Sequence, residues 1–115
     1  MIKAIGVDII KIERIERAVS RWSGRFVNRV FTPAEITYCR EHDREMVHFA
    51  GKFAAKEAVK KAVGGNLNWT DIEIINHEDG KPYLRMKKSA GSGNMLVTIS
   101  HSDEYAVAFV TVEEG

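Results

Sequence analysis

The chain has 115 residues, a net charge of +1 and 29% charged against 44% hydrophobic residues, which describes one ordinary globular domain over 1–115 with no room for a second core. Near-neutral charge excludes a generic polyanion binder, so any basic surface must come from local clustering. A single cysteine, Cys39, excludes an intrachain disulfide and reads as a buried, idle thiol in a reducing compartment.

Met1 to Asp8 shows no secretory apolar core, and no apolar run approaches the ~20 residues needed to cross a bilayer. The expectation is a cytoplasmic protein with no membrane partner. Ile5, Val7 and Ile9 alternate on one face of a first strand, which places Gly6 and Asp8 on the other, with Asp8 presented rather than buried with the isoleucines. From Lys11 to Phe26 the spacing turns helical: Ile12, Ile15, Val19, Trp22 and Phe26 share a stripe, with Ser23-Gly24 as a potential break. Thr32-Pro33-Ala34-Glu35 announces a second helix through a capping box and a proline at the first helical position. The alanine-rich run from about Val47 to Val63, stopped by Gly64-Gly65, predicts a third.

Ile72 and Ile74 alternate with Glu73, Asp79-Gly80 makes a hairpin turn, and Pro82 to Met86 returns. Leu96 to Ser100 and Tyr105 to Val112 predict two more strands, and Lys88 to Asn94 a flexible loop. The order β-α-α-α-β-β-β-β predicts an α+β domain, three helices packed on a small antiparallel sheet.

Glu57 and Lys61 lie four apart on one helical face beside Ala50 and Ala54, so small residues leave room for a ligand near a carboxylate and an ammonium. By itself such a pair is also what a solvated helix surface carries. Asp8 alone is what a strand end shows before a turn. Together, Asp8 and Glu57 offer two hard oxygen donors of the kind Mg²⁺ takes, with substrate phosphates and water completing the shell. Lys61 would add a point charge for a phosphate oxygen. This combination suits transfer at a pyrophosphate. His101, in Ser100-His101-Ser102, reads as a solvated hairpin residue or a functional one. His42, His48 and His77 have no metal-site spacing with one another or with Cys39. Arg14, Arg17, Arg21 and Arg25 share a face of the first helix, about 130° from its apolar stripe. The row is either a solvated face or a receptor for an acidic partner.

Three segments resemble the holo-acyl-carrier-protein synthase family, the short 4'-phosphopantetheinyl transferases: Ile5-Gly6-Val7-Asp8-Ile9, the run Phe49 to Ala58 continuing through Lys61-Ala62, and Ile99-Ser100-His101-Ser102 followed by Tyr105 to Ala108. Phe31 to Glu35 and Gly80-Lys81-Pro82 are similar to further family segments, in family order over nearly the whole chain. The resemblance implies that Asp8 and Glu57 hold Mg²⁺ against the pyrophosphate of coenzyme A and that Lys61 touches the phosphates. It also implies that Lys52, Gly64, Gly65, His101 and Ser102 line the substrate, with Asp8, Glu57, Lys61 and His101 catalytic.

A carrier serine would attack the pantetheine-side phosphorus, releasing adenosine 3',5'-bisphosphate. Glu57, another carboxylate or a water on the metal would serve as base. The arginine row would receive an acidic acyl carrier protein, with a role in fatty acid biosynthesis. Lys52 stands where the family often has arginine, and Gly64-Gly65-Asn66 where it has Gly-Thr-Gly. The longer transferases resemble two such units fused with the site at the join, so a half-length chain implies a homotrimer with active sites between subunits. Two other readings compete. A non-catalytic oligomeric binding module predicts no metal requirement. A nucleic-acid binder predicts steep salt dependence but leaves Asp8 and Glu57 unused, so no nucleic-acid partner is expected.

Overall fold

The computed structural model describes residues 1–87 and 94–114. Most of the predicted 88–94 loop lies outside these residues, and Asn94 opens a strand. In chain order the elements are β1 (Ile2–Lys11), α1 (Ile12–Trp22), α2 (Gly24–Val30), α3 (Pro33–Arg40), α4 (Glu45–Val63), a short 3₁₀ turn (Trp69–Asp71), β2 (Ile72–Asn76), β3 (Pro82–Met86), β4 (Asn94–His101) and β5 (Tyr105–Glu113). The α+β class stands, and the described residues form four α-helices in place of three and two antiparallel sheets in place of one: β1-β5-β4 and the hairpin β2-β3.

The extra helix arises at Ser23, whose φ of 48° ends α1 and starts α2. Trp22, assigned by periodicity to the apolar stripe, is 49% exposed as a result, while Ile12 and Ile15 are buried. The break also corrects the arginine row, because Arg25 stands on α2 and only Arg14, Arg17 and Arg21 share α1.

α4 is the central element. Its alanines Ala50, Ala54, Ala55 and Ala58 are fully buried, and the helix crosses the three-stranded sheet diagonally. A methyl group on Gly51 would come 2.9 Å from Ile99 of β4, and one on Gly6 of β1 would come 2.0 Å from the Ala58 carbonyl oxygen. Backbone therefore meets backbone at β1, which only glycine permits. The helix selects the Gly6 face of β1 as the inner one. The sequence reading had the faces reversed: Ile5, Val7 and Ile9 are 61%, 52% and 64% exposed, while Ile10 is buried. Period-2 alternation fixes which residues share a face, and the packing partner fixes which face is inside.

The separation of the two sheets has a visible cause. The outer edge of β2 is occupied by side chains: the Ile74 N–H donates to Glu35 Oε2 (2.7 Å), and the Ile74 carbonyl accepts from Lys52 Nζ (2.8 Å). Those groups are satisfied with no further strand. Glu35 also closes the predicted capping box on α3, accepting from the Thr32 N–H at 2.8 Å. Its Oε1 meets Lys56 Nζ at 2.6 Å with both side chains fully buried. We expect Gly6→Ala to cost about 2–3 kcal/mol of stability through overpacking, read as a lowered thermal melting midpoint. An unchanged midpoint would mean that the helix does not rest on β1 at this point.

Candidate active site

The crossing at Gly6 brings Val7 and Asp8, which lie within β1 and not at its end as the sequence suggested, to the last turns of α4. Lys61 Nζ donates to the Val7 carbonyl (3.0 Å) and to Asp8 Oδ1 (3.1 Å), and the Asp8 side chain is 15% exposed. Glu57 stands about one turn earlier on the same face, about 6 Å along the axis from Lys61. It is half-buried and makes no ion pair among the described residues. Gly64 and Gly65 follow with φ of 74° and 79°, exposed, with nothing within 4 Å of an added Cβ. The helix thus ends in left-handed glycines with open space beside them.

Asp8, Lys61 and the helical turn bearing Glu57 therefore meet, an arrangement that fits a hard cation. Among the described residues no three His, Cys, Asp or Glu side chains cluster as a metal site. A cation here would take at most this carboxylate pair and complete its shell with phosphate oxygens and water, the coordination Mg²⁺ prefers.

The remaining candidates lie elsewhere. Lys52 and His101 line a cavity of about 170 Å³ between the first half of α4, the end of β4 and the β2-β3 hairpin, together with Tyr38, His48, Asn76 and Pro82. Lys52 is 3% exposed, and its Nζ donates to Asn76 Oδ1 (2.5 Å) as well as to β2, 4.5 Å above the Tyr38 ring. Burial pushes its pKa down. His101 is exposed at the strand end. The Ser102 hydroxyl accepts from the Tyr105 and Glu104 N–H groups, shaping the hairpin that holds His101. Asp8 pairs with Ala108 and Ala108 with Ile99, so β1 and β4 are the two edges of the sheet, two strand spacings or ~10 Å apart. One chain therefore holds two groups of candidates, one at each edge.

Arg14, Arg17, Arg21 and Arg25 are all exposed. Arg17 pairs with Glu13 at 2.5 Å, and the Arg21 guanidinium lies 5.3 Å from the centre of the Trp22 ring. Beyond the break, Trp22, Arg25, Phe26 and Arg29 line an open concavity of about 430 Å³. Cys39 is fully buried and its thiol is pushed up to about 12, chiefly by burial, which leaves it inert at neutral pH.

His48 was missed by metal-site spacing, yet the signal was present: it precedes Lys52 by one helical turn and so shares its face. Its pKa lies below 6.5, first because of burial and then because of the positive charges of His42, Lys52, His101 and Arg44. The unfolded chain therefore takes up this proton first as pH falls, and stability is lost between pH 6.5 and the lowered folded value. An NMR titration should place the His48 midpoint below 6.5. A midpoint at or above that value would contradict the burial.

The fold and this carboxylate–lysine arrangement define the class of protein. A family model described as the 4'-phosphopantetheinyl transferase superfamily matches residues 4–110. The holo-[acyl-carrier-protein] synthase of Halothermothrix orenii is 42% identical over a 125-position alignment covering 100% of both chains. That of Protochlamydia amoebophila is 44% identical over 117 positions, covering 95% of this chain and 96% of the other. Among solved structures, the Bacillus anthracis holo-(acyl-carrier-protein) synthase in complex with CoA (3',5'-ADP) superposes with a TM-score of 0.88 at 37% identity, covering 100% and 99% of the two chains. The Helicobacter pylori enzyme in complex with coenzyme A gives 0.86 at 34%, covering 95% and 99%. The chain belongs to the 4'-phosphopantetheinyl transferase superfamily. Within it the chain falls among the holo-acyl-carrier-protein synthases and is a transferase.

Proposed function

We propose that the chain transfers 4'-phosphopantetheine from coenzyme A to a serine of apo-acyl carrier protein in a Mg²⁺-dependent reaction, serving fatty acid biosynthesis in the cytoplasm. The observation that carries this reading is the Lys61–Asp8 contact with Glu57 one turn away, at the glycine crossing of β1 and α4. Among the described residues no helix is long and apolar enough to cross a membrane.

Asp8 and Glu57 would hold the metal, and Mg²⁺ when bound neutralises pyrophosphate charge. Lys61 places its ammonium where the phosphate oxygens gain charge as the serine oxygen bonds to the pantetheine-side phosphorus. The bond from that phosphorus to the bridging oxygen breaks, adenosine 3',5'-bisphosphate leaves, and the serine proton passes to Glu57, another carboxylate or water. Gly64 and Gly65 allow phosphate to approach backbone. Lys52, His48 and His101 bring three basic side chains to a cavity with no carboxylate among its lining residues, which suits an anionic part of the nucleotide. Arg14, Arg21 and the Trp22–Arg25–Phe26–Arg29 concavity offer an acidic carrier both charge and apolar contact.

Incubation with apo carrier, coenzyme A and Mg²⁺ should add the mass of one phosphopantetheine, and a chelator should abolish the gain. Glu57→Gln should keep the fold and lose roughly 10²-fold or more in turnover. Normal turnover in that variant would remove Glu57 from the site.

The homotrimer with shared sites is supported by two features. The outer sheet face exposes Ile5, Val7, Ile9, Leu96 and Phe109, with Thr98 and Thr111 among them, an apolar-rich surface of the kind that marks association. The two candidate groups also sit at opposite sheet edges, so neighbouring copies can bring Asp8 of one to His101 of the next. Mixing Asp8→Asn with His101→Ala subunits, each impaired alone, should then restore about a quarter of wild-type activity, the fraction of interfaces that pair two intact halves. No recovery after verified subunit exchange would place both halves of the site in one chain.

A further inference from the structure

α4 approaches the sheet most closely on the face that carries Gly51 and Ala58, where a methyl on Gly51 would meet Ile99 and the Ala58 carbonyl lies against Gly6. These two close contacts fix the distance between helix and sheet and leave the rotation of the helix about its own axis to its other contacts. At ~100° per residue, Lys52 and Lys56 project from one flank of this face, and Glu57 and Lys61 from the opposite flank. Side-chain tips lie ~5–6 Å from a helix axis, so a rotation of about 10° moves the Glu57 carboxylate by ~1 Å.

The lysine flank is built to prevent that rotation. All three N–H bonds of Lys56 are used: Nζ donates to the Val30 carbonyl (2.7 Å), the Trp69 carbonyl (3.1 Å) and Glu35 Oε1. Those acceptors belong to the end of α2, the 3₁₀ turn and α3. Glu35 is held in turn by the Thr32 and Ile74 N–H groups, and Lys52 reaches the same β2 residue one helical turn earlier. Among the described residues no buried polar side-chain atom is left without a partner. Burying two opposite charges completely is a weak source of stability, because apolar residues of similar size often do as well. Its best-attested use is to select one register among several. A substrate group misplaced by 1 Å costs about 10²-fold in rate.

We infer that the buried Glu35–Lys56 pair is a positioning device for the active site, fixing the rotation of α4 so that Glu57 and Lys61 face Asp8. Neither residue touches substrate. The inference rests on the active-site reading above, which Glu57→Gln tests separately.

The test is a cycle with the pair neutralised as a unit, Glu35→Gln with Lys56→Met, assayed for transfer to apo carrier. The neutral-pair variant should melt cooperatively, show a kcat lowered about 30-fold or more, and keep its KM for the carrier, which docks on α1 and α2. In a Glu57→Gln background the same two changes should cause a clearly smaller fall in kcat, because Glu57 no longer acts and only the placement of Lys61 remains to be lost. A folded neutral-pair variant with normal kcat would overturn the inference, as would a fall repeated in full in the Glu57→Gln background. If the neutral pair does not fold, Lys56→Arg decides. It keeps the charge while moving the anchor point, so kcat should fall at least tenfold in a folded protein, and a normal kcat would make the pair purely structural. A normal Glu57→Gln enzyme would instead sink the active-site reading itself.

Discussion

The contact between α4 and β1 at Gly6 organises the molecule. A helix backbone can lie on a strand backbone only where the strand lacks a side chain, and Gly6 provides that gap against the Ala58 carbonyl. Once α4 is seated there, the inner face of β1 is fixed, and Lys61 comes within hydrogen-bonding distance of both Val7 and Asp8. The same seating turns the isoleucine face outward. One close approach therefore sets both the local chemistry and the apolar surface available for association.

Away from the close contacts at Gly6 and Gly51, the flank of α4 that bears Lys52 and Lys56 ties the helix to the rest of the fold. Lys52 and Lys56 reach across to β2, to α3 through Glu35, to the end of α2 and to the 3₁₀ turn. Aromatic contacts reinforce that side, with Phe31 against Phe49 and Phe53 stacked on Trp69. The β2-β3 hairpin is a separate sheet because its edge is answered by these side chains. It closes one wall of the cavity that Lys52, His48 and His101 line.

The candidate groups are divided between the two edges of the sheet, with Asp8 on β1 and His101 on β4. The break at Ser23 shapes the arginine-bearing surface. It turns one long basic helix into two, and the angle between them carries Trp22 and Phe26 beside Arg25 and Arg29.

By itself the sequence determined the helix limits that depend on local signals: the capping box at Thr32 and Glu35, the glycine stop after Val63, and the hairpin at Asp79-Gly80. It also determined the strands by alternation, and the family through segments whose residue types are tied to one chemistry. Tertiary structure alone decided which face of β1 is buried, because periodicity is blind to the packing partner. It decided that two lysines and a glutamate belong in the core, where exact partners can replace water around a charge that composition assigns to the surface. It also decided that Asp8 and Lys61, 53 residues apart in the chain, touch, since nothing local to either residue encodes the path of the chain between them.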